Sequence, residues 1–308
     1  MSSDLTMSTV TETLPATAAA MPHPHDVPVT VIEATSAWRL VNFAELYAYR
    51  DLFRFLTWRS IKVRYAQSAV GIGWAIIQPG FQILMFTLVF GGLAQIETDG
   101  VPKAAFYLVT MTAWTYFSNA LTAASDSLVG NATMISKVYF PRMILPLSAA
   151  SASLFDFAIA FAFAVILLLS TGFVPNLGVL MLPYLIALMA VSAFGLGLWL
   201  TSLAIQYRDV KHAMTFVMQI LMYAAPVIYP VSLLPETYKL PGNVVIWPQW
   251  IYAVNPMVGV LEGFRSAFLA TRPMPVGWIA LGTLSAIVVT VTGAWYFRSR
   301  EKVFADVA

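Results

Sequence analysis

Long runs of apolar residues, each of about membrane-spanning length, decide what this chain can fold into. Five segments are long and apolar enough to cross a bilayer: Gly71–Ala94, Ala104–Val129, Ile144–Ser170, Leu177–Ile205 and Trp278–Phe297. A transmembrane helix needs about 20 mainly apolar residues. A sixth segment, His212–Leu234, is also apolar but carries Pro226 and Pro230 near its end. Proline is tolerated in membrane helices where neighbouring groups satisfy the freed carbonyls. The composition agrees: 59% of the 308 residues are hydrophobic, 10% are charged, and the mean hydropathy is +0.75. Soluble domains carry roughly 25% charged residues, so here lipid must solvate most of the apolar surface. The fold expected is an all-α membrane protein with six transmembrane helices.

Charge sets the orientation. With both termini in the cytoplasm, only Lys103, Lys239, Arg265 and Arg272 of the 17 Lys and Arg residues fall outside. This is the asymmetry that the positive-inside rule requires. Five spans would put Arg298, Arg300 and Lys302 on the outer side and lose it. The net charge of +2 offers no basic field for nucleic acid, and the absence of cysteine excludes disulfides and thiolate metal sites.

Two segments do not span. In Ala44–Tyr65, Leu46, Tyr49, Leu52, Phe53 and Leu56 share one helical face and Arg50 and Arg54 lie on another. Such a basic amphipathic helix is expected to lie in the membrane plane. Met257–Ala270 is too short to cross and contains Glu262 and Arg265, so a re-entrant outer segment between helices five and six is expected. Residues 1–40 are rich in Thr, Ser, Ala and Pro and read as a disordered cytoplasmic tail. In it, His23 and His25 are read as solvated residues rather than metal ligands. The permease domain then covers residues 41–308, with spans at about 71–94, 104–129, 144–170, 177–205, 212–234 and 278–297.

Several stretches carry a family resemblance. They are Arg59-Ser60-Ile61-Lys62-Val63-Arg64-Tyr65 followed by Gly71-Ile72-Gly73-Trp74 and Gln78-Pro79; Lys137-Val138-Tyr139-Phe140-Pro141-Arg142; Tyr207-Arg208-Asp209-Val210; Pro226-Val227-Ile228-Tyr229-Pro230; Asn255-Pro256-Met257; and Glu262-Gly263-Phe264-Arg265. In this order and spacing the chain resembles the transmembrane subunit of a type-2 ABC exporter, in the branch that moves O-antigen, capsule or teichoic-acid polysaccharides. The resemblance covers roughly residues 40–308. It implies a bacterial inner-membrane location, a second copy of the chain, and a separate nucleotide-binding subunit that holds ATP and Mg. The residues agree on one point: no G-x-x-x-x-G-K-[ST] phosphate loop occurs, so this chain cannot cradle a triphosphate by that route. It is expected to be no enzyme itself and to hold no cofactor.

The resemblance implies that Ser136, Lys137, Val138, Tyr139, Phe140, Pro141 and Arg142, with Tyr207, Arg208 and Asp209, couple the chain to that ATPase. Trp74, Phe81, Phe86 and Phe90 in the first span, and Phe216, Tyr223 and Tyr229 in the fifth, are candidate path residues. Sugar rings stack on aromatic faces, and Tyr and Trp add a polar handle; the same residues also form interfacial belts. Glu262 and Arg265 stand three apart on one helix face and can pair, which suits structural elements of an outer gate. Asp126 and Asp156 lie in apolar helices, where an ionised side chain is costly, and should bond to a neighbouring helix. Gly195-Leu196-Gly197 allows close helix approach. The alternatives are a type-2 exporter of a small lipid or drug, a membrane glycosyl-transfer enzyme, and a passive scaffold. Against the enzyme, Trp247–Asn255 carries no polar residues besides Gln249 and Asn255 (two tryptophans and a tyrosine aside).

Overall fold

The computed structural model describes residues 43–207, 209–240, 244–301 and 304. The expected tail, with His23 and His25, and the coupling candidate Arg208 lie outside the described residues. The helices are α1 (Phe43–Ala48), α2 (Arg50–Tyr65), α3 (Trp74–Phe86), α4 (Lys103–Asp126), α5 (Ala132–Ile135), α6 (Ile144–Ser170), α7 (Leu182–Gln206), α8 (Asp209–Tyr223), α9 (Pro248–Tyr252), α10 (Pro256–Leu269) and α11 (Val276–Arg300). A short antiparallel hairpin, β1 (Tyr238–Leu240) and β2 (Val244–Ile246), pairs Tyr238 with Ile246 and Leu240 with Val244. It is a small departure from the all-α expectation.

Among the described residues four helices are long and apolar enough to cross a membrane: Gly71–Leu93, Ile144–Ser170, Leu177–Gln206 and Val276–Arg300. α4 has the length, 24 residues, but is lined with hydroxyls and amides. The structure shows why this is tolerated. α4 is the axis of the bundle, wrapped by α3, α6, α7, α8 and α10, and is buried over most of its length. Three of its threonine hydroxyls turn back on their own helix: Thr110 donates to Phe106 O at 2.8 Å, Thr112 to Leu108 O at 2.7 Å and Thr122 to Ser118 O at 2.9 Å. Each polar atom satisfied in this way avoids the cost of bare burial.

α8 has 15 residues and stops at Tyr223, not at Leu234. At 1.5 Å per residue it is about 22 Å long, short of a hydrocarbon core of about 30 Å. The reason is local. Proline at 226 removes a donor and disfavours helical backbone at the residue before it. α3 continues into a π-helical stretch, Thr87–Leu93, whose Gly91 carbonyl accepts from Lys103 Nζ at the start of α4.

Glycines set the closest helix approaches. A Cβ on Gly195 would stand 2.9 Å from Thr290 Cα, and one on Gly293 would stand 2.6 Å from Gly195 O, so α7 and α11 touch backbone to backbone. A Cβ on Gly197 would stand 2.8 Å from the Cβ of Ala124. There Thr201 Oγ1 donates to Ala124 O at 2.7 Å, binding α7 to α4. This is the close approach that Gly195-Leu196-Gly197 predicts.

The face of α2 forms as its periodicity predicts. Leu56 is buried, Leu46, Tyr49, Leu52 and Phe53 pack beside it, and Arg50 and Arg54 are exposed. Its setting differs from the flat one expected. Leu56 shares a cluster with Leu145, while Tyr65 meets Phe155 edge-on at 6.2 Å. So α2 runs beside α6 for about 13 Å instead of crossing it at one point.

Candidate functional site

One apolar cluster gathers the ends of several helices. Leu128 follows α4, Ile144 and Leu145 open α6, Ile205 closes α7, Phe297 closes α11, and Phe304 packs edge-on against Phe297 at 5.1 Å. The basic-flanked ends of these helices therefore share one end of the bundle. The predicted coupling stretch sits here and divides into two halves. Phe140 is buried in the cluster and Pro141 beside it is also buried, while the Arg142 guanidinium donates to the Glu301 carbonyl at the end of α11. Ser136, Lys137, Val138 and Tyr139 are exposed, Tyr139 at 68%. Proline and the packed phenylalanine anchor the stretch, and the preceding four residues project. Tyr207 and Asp209, at the α7–α8 junction, are exposed as well. Tyr139 and Tyr207 are exposed at 68% and 60%, and tyrosine is a residue type enriched at binding hot spots.

The opposite end is closed by α10, which is buried from Met257 to Leu269. Asn255 caps it, accepting from Met257 N at 3.0 Å. α10 runs antiparallel to α11 at backbone contact: a Cβ on Gly259 would stand 2.9 Å from Ile279 Cα, and one on Gly282 would stand 2.9 Å from Pro256 Cα. Glu262 and Arg265 do pair, at 2.7 Å, and Arg265 is wholly buried. The structure adds partners beyond the helix. Arg265 Nε donates to Thr110 Oγ1 at 3.0 Å, and its Nη2 donates to Pro226 O. Its guanidinium carbon lies 3.9 Å from the centre of the Phe106 ring. Glu262 accepts from Val231 N at 3.0 Å. One ion pair thus ties α10 to α4 and to both sides of the turn after α8.

A second pair was not legible in the sequence. Arg64 and Tyr65, at the end of α2, both bond to Asp156 in the middle of α6. Burial lowers the Arg64 pKa and raises that of the Tyr65 phenol from their ordinary values. The sequence signal was present on one side: an acid alone in an apolar helix needs a partner, and Arg64 is the last cation before the first span. Among the described residues Asp126 has no such clasp; it lines a 410 Å³ cavity with Arg59 and Arg64.

The aromatic candidates separate by exposure. Trp74 (51%), Phe81 (61%), Phe216 (65%) and Tyr223 (50%) are exposed on α3 and α8. Phe86 instead packs on Phe90 at 5.1 Å and on Tyr107 at 5.9 Å. The Tyr229 hydroxyl donates to Tyr223 O at 2.9 Å and stands 3.1 Å from that of Tyr252.

Such a bundle, with a central hydroxyl-bearing helix, buried charge pairs and projecting loops at one end, is that of a multi-pass helical membrane protein. Residues 51–269 match the ABC-2 type transporter family, and the chain belongs to it. An O-antigen export system permease protein RfbA of Myxococcus xanthus is 25% identical over 270 residues, covering 87% of this chain and 98% of the relative. An RfbA of Klebsiella pneumoniae is 24% identical, covering 83% and 95%. A polysialic acid transport protein KpsM of Escherichia coli is 20% identical, covering 79% and 91%.

Proposed function

We propose that this chain is the path-forming transmembrane subunit of an ATP-driven exporter that moves a polysaccharide or lipid-linked glycan across the bacterial inner membrane. The observation that carries this reading is the near full-length match to permeases named for O-antigen export. In this reading six segments cross: α3, α4, α6, α7, α8 with the turn after it, and α11. The segment α9–α10 dips in from outside and returns. Both termini are cytoplasmic. ATP and Mg are held by a separate subunit.

Coupling runs through the projecting residues. The ATPase subunit seats on Ser136–Tyr139, Tyr207 and Asp209. Its closure pushes this stretch, and the buried Phe140 and Pro141 pass the push to the foot of α6. The Arg142 contact extends it to α11. A second copy faces the exposed aromatics of α3 and α8, so that Trp74, Phe81, Phe216 and Tyr223 border the path between copies. Glu262 and Arg265 hold the outer end.

The test is genetic. Deleting this chain or its ATPase should remove the surface glycan, and Tyr139→Ala should reduce export several-fold with the chain still at normal abundance in the membrane. Because the chain has no cysteine, Lys137→Cys can be labelled uniquely and should react only from the cytoplasmic side. Glycan export that persists without the ATPase, or labelling of this cysteine from outside, would refute the reading.

A further inference from the structure

A cavity of 260 Å³ opens inside the protomer between the end of α2, the start of α3, and the middle of α4 and α6. It is unlike its surroundings. At this depth the helices are apolar, yet Gln78, Thr115, Asn119, Ser153 and Asp156 line it, with Trp74 at its rim. Ser153 is buried, and its hydroxyl has no partner among the described residues. Buried polar atoms are nearly always bonded, so an orphan hydroxyl facing a cavity marks a place where something polar belongs. The Thr115 hydroxyl already donates to Gln82 Oε1 of α3 at 3.1 Å, and Arg64 and Tyr65 hold the carboxylate of Asp156 in place.

These groups share one recognition chemistry. Hydroxyls and planar amides can both donate to and accept from ligand hydroxyls, a carboxylate accepts from them, and an indole face accepts the C–H side of a sugar ring. The volume is below the roughly 300 Å³ at which pockets for drug-sized ligands begin, so it suits a single ring. Arg64 is neutralised by Asp156, which argues against an anionic headgroup. We infer that this cavity is a subsite for one sugar unit of the exported glycan, held by Asn119, Ser153 and Asp156 and stacked on Trp74. The inference rests on the glycan-export reading above.

The subsite is tested in the assembled transporter in nanodiscs, with single cysteines at Asn119 or Ser153 and a small methanethiosulfonate reagent. The probe is the oligosaccharide released by mild acid from the host's own surface glycan. It should slow modification at least fivefold, while a maltodextrin of equal length gives no protection and a cysteine at the exposed Val174 is not protected. In cells, Asn119→Leu and Ser153→Val should lower export at normal abundance, and Ser153→Thr, which keeps the hydroxyl, should retain it. Equal rates with and without the oligosaccharide, together with full export by Asn119→Leu, would overturn the subsite and leave the glycan-export reading intact. Surface glycan that is unchanged when the whole chain is deleted would overturn that reading instead.

Discussion

Replacing Glu262 by leucine should be the most damaging single change at the outer end, and the structure sets its size. In the wild type the Arg265 charge is wholly buried and faces one carboxylate at 2.7 Å. Without that carboxylate, Thr110, the Pro226 carbonyl and the Phe106 ring remain, but among the described residues no directly paired counter-charge does, and Asp99 acts on Arg265 only at longer range. Breaking a buried pair from one side costs about 3–5 kcal/mol. The Val231 N–H also loses its acceptor, which pushes the value toward the upper end. At about 4 kcal/mol the folded-to-unfolded ratio falls roughly a thousandfold. Arg265→Leu should cost less, because an abandoned carboxylate can take up a proton, whereas a guanidinium cannot release one. The double Leu variant should recover much of the loss, since apolar residues replace buried pairs well. The assay is reversible SDS unfolding in mixed micelles, followed by the nine tryptophans. A Glu262→Leu cost below about 1 kcal/mol, or strict additivity in the double-mutant cycle, would refute the reasoning.

Two further outcomes follow from packing and charge. Gly195→Leu should destabilise the fold by about 1–3 kcal/mol by forcing α7 from α11, read on the same titration, whereas Gly80→Ala, with nothing within 4 Å of its Cβ, should be neutral or slightly stabilising. Asp156→Asn should cost about 1–2 kcal/mol, between the exposed and buried limits for an ion pair, and raise the thiol reactivity of a cysteine placed at the half-buried Ser60 as α2 loosens from α6.

What the sequence makes legible is what depends on near neighbours. The face of α2 follows from a 3.6-residue period, and Glu262 with Arg265 from a spacing of three. The backbone contact of α7 and α11 follows from glycines in apolar helices. What depends on distant partners does not show. Arg64 and Asp156 stand far apart in the chain, and no local pattern pairs them. The end of α8 was signalled by Pro226, but hydropathy averaged over a window extends through the turn to Leu234. α2 looks like a surface helix because its one buried face is narrow, and only the position of α6 shows that it descends beside that helix. The polar cavity is assembled from four helices, each contributing a few residues that singly look like ordinary helix side chains.

The central place of α4 bears on how the protein is made. Helices leave the translocon for lipid according to their own hydrophobicity, and α4, with its threonines, Asn119 and Asp126, is poorly suited to stand in lipid alone. Its hydroxyls and amides are sheltered only once α6 and α7, which are synthesised after it, have been laid against it. Biogenesis must therefore keep this segment waiting beside the insertion machinery until later helices emerge, and a ribosome stalled before α7 would leave it without a home.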